Sequence, residues 1–146
     1  MQNGVVFRRS RKLGSRLIRW GTQEAWSHCG VIIDNEAYHS DSRGCHVSTV
    51  EEFCLGSETF FLAVAITKEQ KDRAIKAIGY QYDWAAIVWF AIVLLLKRIA
   101  IILPTTTVNS KWLVCSEYAS YIFWGKGQTV TPGEFLNRVL AEQIVK

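Results

Sequence analysis

Apolar residues in this chain fall first into short strand-like runs separated by turn signals, and later into helical stripes. Gly4 to Arg8 is a short apolar strand candidate, and Leu13 to Gly21 is amphipathic enough for a short helix or an irregular arm. Ser27 to Ile33, SHCGVII, is rich in β-branched residues and predicts a firmer strand. Asp34 and Asn35 then supply a turn that returns Glu36 to Ser40 as its hairpin partner. After the Ser-Arg-Gly break at 42 to 44, a further strand spans Cys45 to Val50, and Thr49 to Phe53 can form a turn of helix. Thr59 to Ile66, TFFLAVAI, is the most apolar strand and is expected to be central.

The helical stripes begin at Thr67, an N-cap with Gln70 three residues on, which together form a capping box. Ala74, Ile75 and Ile78 share the apolar stripe of a helix that stops at Gly79. Lys111 to Trp124, KWLVCSEYASYIFW, carries a helix-like pattern ended by Gly125 and Gly127. Thr131, Pro132 and Glu134 open a last helix at its cap, N1 and N3 positions. Its stripe of Phe135, Leu136, Val139, Leu140 and Ile144 packs by one face.

One segment follows neither period. Trp84 to Leu103 reads WAAIVWFAIVLLLKRIAIIL, uncharged as far as Leu96. At about 1.5 Å per residue, a helix over that uncharged part is about 20 Å long, short of the roughly 30 Å hydrocarbon core of a bilayer. Lys97 and Arg98 then break the run. A buried helix or helical hairpin, a partner-docking or monotopic element, and a membrane span all remain open. If the segment is a helix, Trp84, Ile87, Phe90, Ala91 and Leu94 share one stripe, the expected contact face for a homo-oligomer or for lipid.

The whole of residues 1–146 reads as one domain of globular composition, with 49% hydrophobic and 21% charged residues. The net charge of +4 is concentrated at the front: Arg8, Arg9, Arg11, Lys12, Arg16 and Arg19 all precede the first acidic residue, Glu24. Such a basic front can meet nucleic acid, anionic lipid or another polyanion. No zinc finger, RNP-like segment or basic helix with heptads accompanies it, which argues against nucleic acid as the partner. No apolar signal-peptide core follows Val5 to Phe7, so Cys29, Cys45, Cys54 and Cys115 are expected as free thiols in a reducing, cytoplasmic compartment, with membrane association through the apolar block kept open. The Cys and His residues between positions 28 and 54 lack paired C-x2-C spacing, so no metal is expected.

Two residues have physical reasons to carry chemistry. Cys115 stands at the start of an apolar helix, where orphan N–H groups and the helix dipole favour a thiolate; an inert packed cysteine is the competing reading. His28 opens its strand on the same face as Gly30, whose missing side chain leaves room for another group to approach; a satisfied core histidine is the alternative. His39, across the hairpin, can orient His28, and His46 competes for that role.

Taken in order, GVVF, the arginine-rich arm, WSHCGVII, AYHS, the Val50 to Phe53 turn, YQYD, VCSEYASY and TPGEF resemble the circularly permuted NlpC/P60 hydrolases. These papain-like cysteine enzymes include the YiiX-like amidases and the lecithin:retinol acyltransferase group. The resemblance covers nearly the whole chain and rests most on the SHxG strand start and the Cys-Ser-Glu helix start. It implies an α+β fold of permuted papain-like type, a small antiparallel sheet packed against helices, with an apolar helical insertion at about 84–103. It also implies Cys115 as nucleophile, His28 as base and His39 as the polar orienter, with Tyr82 and Asp83 shaping the cleft. Cys29, where a small aliphatic residue is more usual, and the apolar block depart from the pattern.

The chemistry implied is acyl transfer through a Cys115 thioester, which requires no metal or organic cofactor. The expected function is a cysteine amidase or endopeptidase acting on a peptide-like amide. The alternatives are a lipid-directed acyltransferase, phospholipase or deacylase, and a catalytically silent structural or interaction module.

Overall fold

The computed structural model describes residues 2–97, 111 and 113–144. Five antiparallel strands, β1 (Gly4–Ser10), β2 (His28–Ile33), β3 (Glu36–Asp41), β4 (Gly44–Thr49) and β5 (Ser57–Ala63), form one sheet in the order β4-β3-β2-β1-β5. Among the described residues six helices accompany it: α1 (Leu13–Thr22), α2 (Val50–Cys54), α3 (Lys68–Lys76), α4 (Trp84–Lys97), α5 (Cys115–Trp124) and α6 (Pro132–Ile144). The result is a mixed α+β fold whose antiparallel sheet packs against several helices.

Strand parity divides the sheet into two faces. Val5, Phe7, Cys29, Val31 and Ile33 point to the side covered by α3, α5 and α6, where they meet Tyr118, Ala119, Ile122 and Phe135. Val6, Ile32 and Ala37 point to the other side and meet Val50 and Phe53 of α2. Full burial of each large side chain here is worth roughly 1.5–3 kcal/mol. Tyr118 adds a hydrogen bond from its hydroxyl to the Ala74 carbonyl at 2.7 Å, which ties α5 to α3.

Local signals set most boundaries. Asp34 and Asn35 both adopt positive φ, 51° and 68°, the two-residue geometry that suits a tight hairpin. The Thr67–Gln70 capping box closes α3 with reciprocal bonds of 3.2 and 2.8 Å. Gly125, at φ 76°, ends α5, and the Arg73 guanidinium donates to the last carbonyls of that helix, Ile122 and Phe123. Gly44, at φ 89°, lets β4 run against the next segment: a Cβ there would stand 2.4 Å from the Tyr80 oxygen.

Two expectations change. The apolar run from Thr59 lies in β5 at the edge of the sheet and not at its centre, because β1 pairs with both β2 and β5 and so stands between β5 and the rest of the sheet. Phe60 is consequently 40% exposed. The space beside Gly30 is also not open: a Cβ there would meet Phe53 at 3.1 Å and His39 at 3.2 Å. The glycine admits those two side chains. The apolar block is helical from Trp84 to Lys97; its continuation at 98–103 lies outside the described residues, as do the side chains of Phe90, Ala91 and Leu94.

Candidate functional site

Cys115 opens α5, where the first-turn N–H groups lack intrahelical acceptors and the helix dipole favours negative charge. The helix start is held from three directions. The Glu117 carboxylate accepts from the Val114 N–H at 3.1 Å, the Ser116 hydroxyl donates to the Val130 carbonyl at 2.5 Å, and the Ser40 hydroxyl donates to the Leu113 carbonyl at 2.6 Å. The Leu113 N–H donates to the Gln81 carbonyl at 3.0 Å, which brings the YQYD segment alongside.

Three influences act on the Cys115 sulfur. The thiol of Cys29, the second residue of β2, hydrogen-bonds to it; burial acts in the opposite sense; His28 then contributes its charge and a hydrogen bond. Together they hold Cys115 well below the ordinary thiol value, while its partner Cys29 is pushed well above by the same bond and by burial. Of the two thiols, the one at the helix N-terminus is thus the one poised to ionise.

His28 leads away from the sulfur into a polar chain. Its Nε2 lies 3.5 Å from Nδ1 of His39, and His39 Nε2 lies 2.9 Å from the Ser48 hydroxyl. Burial, then the charges of His28 and His46, push His39 down to about 2, so it is a neutral imidazole. Ser48 donates to the Thr49 carbonyl and therefore accepts from His39 Nε2–H. His39 Nδ1 is then an acceptor and receives His28 Nε2–H. The network itself assigns the tautomer.

Phe53, held in place by α2, is the platform of this arrangement. His28 stacks on its ring at 5.4 Å between centroids, His39 meets it edge-on at 4.8 Å, and the Arg8 guanidinium lies 4.5 Å from its centroid. Arg8 also donates to the Phe53 carbonyl at 2.6 Å. Tyr82 is kept protonated by burial and by the nearby charge of Cys115. Asp83 is buried beside it in the chain.

Of the residues predicted from three separated stretches, His28 and His39 lie 3.5 Å apart, and Cys115, on the neighbouring helix, feels the charge of His28. His46 is the direct cross-strand partner of His39, with ring centroids 4.2 Å apart, but its Nδ1 bonds the Gly44 carbonyl at 2.8 Å and it makes no bond to His28. Ligand atoms of His39, Asp41 and His46 fall within 4.8 Å of one another. Asp41 is already engaged by Arg43, and His39 by Ser48 and His28, so a metal ion would have to break the chain behind His28.

The sequence reading omitted Cys29, Ser48, Phe53 and Arg8 as parts of the site. Cys29 falls on the core face of β2, where the packing of α5 decides what it meets. No family model and no curated protein matches the chain.

Proposed function

We propose that this protein is a cysteine hydrolase of permuted NlpC/P60 type that cleaves a peptide-like amide through a Cys115 thioester. The observation that carries the reading is the ordered series Cys115, His28, His39 and Ser48, in which a sulfur of depressed pKa meets an imidazole whose far nitrogen is fixed by a neutral acceptor.

In the reaction, the Cys115 thiolate adds to the substrate carbonyl carbon. The oxyanion that forms is stabilised by the N–H groups at the start of α5. His28 Nδ1–H gives its proton to the departing nitrogen as the C–N bond breaks. Water then attacks the thioester while His28 takes a proton from it, and the acid leaves as the Cys115 thiolate is regenerated. His39 touches no substrate. It is a positioning residue that holds His28 in one tautomer and one orientation.

A second reading keeps this chemistry and exchanges the amide for a lipid acyl ester; the exposed apolar residues of α1 and α4 favour it. Intact-mass labelling with a panel of amide, ester and thioester electrophiles tests both. One acyl adduct on the parent chain and none on Cys115→Ala is expected, with the preferred electrophile reporting the substrate class. Equal labelling of parent and variant, or none on either, overturns the assignment.

A further inference from the structure

The helix α1 is built inside out. Ser15, at 2.6 Å from the Ser27 hydroxyl and 3.0 Å from the Ser10 N–H, faces the body of the protein. At 100° per residue, Leu13, Leu17 and Trp20 lie on the opposite side, and they turn to solvent: Leu13 is 70% and Leu17 57% exposed. No residue of α1 is buried. An amphipathic helix that owes its position to packing buries its apolar stripe, whereas this one presents it. The neighbouring α4, which contacts α1, does the same: Val93 is buried, while Trp84 and Val88, on the other side of that helix, are each 57% exposed.

Charge supplies the second observation. Arg11, Lys12 and Arg16 are exposed around the α1 stripe. Between α1, the end of β1 and the start of β5 lies a cleft of about 650 Å³ lined by Arg9, Arg11, Arg19, Ser10, Ser57 and Glu58. Glu58 is taken by Arg9 in a two-pronged bond of 2.7 and 2.8 Å. That leaves Arg11 and Arg19 without a carboxylate in the cleft, and the buried Nε of Arg19 has no hydrogen-bond partner among the described residues.

We infer that α1, with the exposed side of α4, docks this protein on an anionic lipid surface, its apolar stripe entering the interface and its arginine cleft receiving headgroup phosphate. An outward apolar stripe beside several cations is the combination that interfacial helices use, the apolar area supplying attachment and the cations selecting anionic leaflets. A second copy of the chain fits less well, because a symmetric contact through this face would set its cations against themselves. No helix among the described residues is long and apolar enough to cross a membrane. The inference is independent of the chemistry at Cys115.

Co-sedimentation of the full chain with phosphatidylcholine vesicles, with and without phosphatidylserine, is the test. Binding to the serine-containing vesicles that weakens with added salt is expected. A Leu13→Glu, Leu17→Glu double variant should lower it about tenfold or more, a loss of at least about 1.4 kcal/mol. Arg11→Gln with Arg19→Gln should remove the preference for phosphatidylserine. Ile75→Glu, an exposed apolar position on α3, should change nothing. Because Leu13 and Leu17 are exposed, circular dichroism should find the double variant folded. Equal binding to both vesicles, or undiminished binding by the folded leucine variant, overturns the inference. So does a vesicle-free dimer, seen by light scattering, that the leucine substitutions dissociate, since the face then belongs to a second copy.

Discussion

Cys29, which follows His28 in β2, is linked to Cys115 at the start of α5 through a thiol hydrogen bond, so a neighbour of the proposed base also acts on the proposed nucleophile. This bond is the largest influence lowering Cys115, ahead of the charge of His28. Cys29→Ala should therefore raise the pH at which Cys115 becomes reactive toward iodoacetamide, narrowing the range in which the thiolate is present. Cys45 is pushed up to about 12 by burial and lies outside this pair, so Cys45→Ala should leave the profile in place. A rate–pH curve for single-site alkylation checks both; an unmoved curve for Cys29→Ala would remove Cys29 from the site.

His39 acts by accepting a proton bond from His28, a role that a side-chain amide can fill and a hydrocarbon cannot. On the substrate identified by electrophile labelling, His39→Leu should lower kcat by on the order of 10²-fold, with Cys115 still alkylated by small reagents. His39→Asn should recover part of that loss. His46→Gln should stay within a few-fold of the parent, since His46 bonds Gly44 and not His28. If His46→Gln is the crippled variant, the orienter has been misassigned.

Gly30 is where fold and site are most tightly joined. A methyl group there meets the Phe53 ring at 3.1 Å, His39 Cβ at 3.2 Å and the Tyr38 carbonyl at 3.2 Å, and β2 cannot retreat because β1 and β3 hold it on both edges. Gly30→Ala should cost about 1–3 kcal/mol and displace His39 from His28. Gly14→Ala, in α1 with nothing within 4 Å, is the control and should gain about 0.5–1 kcal/mol. Thermal melts and kcat measured together decide whether the glycine serves the site as well as the fold.

What could be read from the sequence was local. The Asp34–Asn35 hairpin, the Thr67 cap, the Gly125 stop and the Pro132 start each depend on residues a few positions apart, and each occurs as the pattern predicts. The misread features depend on distant pairing. TFFLAVAI has the composition of a central strand, yet it lies at an edge because β1 stands between it and β2. The period of α1 was visible, but not which side would face the protein, since that is fixed by the Ser15–Ser27 bond. In the candidate site, His28, His39 and Cys115 could be proposed from residue type alone. Phe53 and Ser48, ordinary as residue types, gain their roles only once α2 and β4 close over the histidines.

A buried neutral histidine also makes the fold acid-sensitive. His39 falls from the usual 6.5 to about 2 on folding, so below 6.5 the unfolded chain binds a proton that the folded chain refuses. The stability this provides is complete above 6.5 and is lost progressively as pH falls toward 2; by pH 5 the loss is about 2 kcal/mol. Asp41 acts in a lower window. Burial raises its carboxyl, but hydrogen bonds from the Arg43 side chain and backbone outweigh this and bring it down from 3.8 to about 2, so its contribution is lost only between those values. Urea titrations from pH 8 to pH 3 should thus show stability declining from near 6.5, before the carboxylates titrate. His39→Asn should flatten the upper part of that decline, and Asp41→Asn only the part below about 4. If the parent is equally stable at pH 7 and pH 5, His39 is not held neutral in the folded protein, and the acceptor that fixes His28 is lost with it.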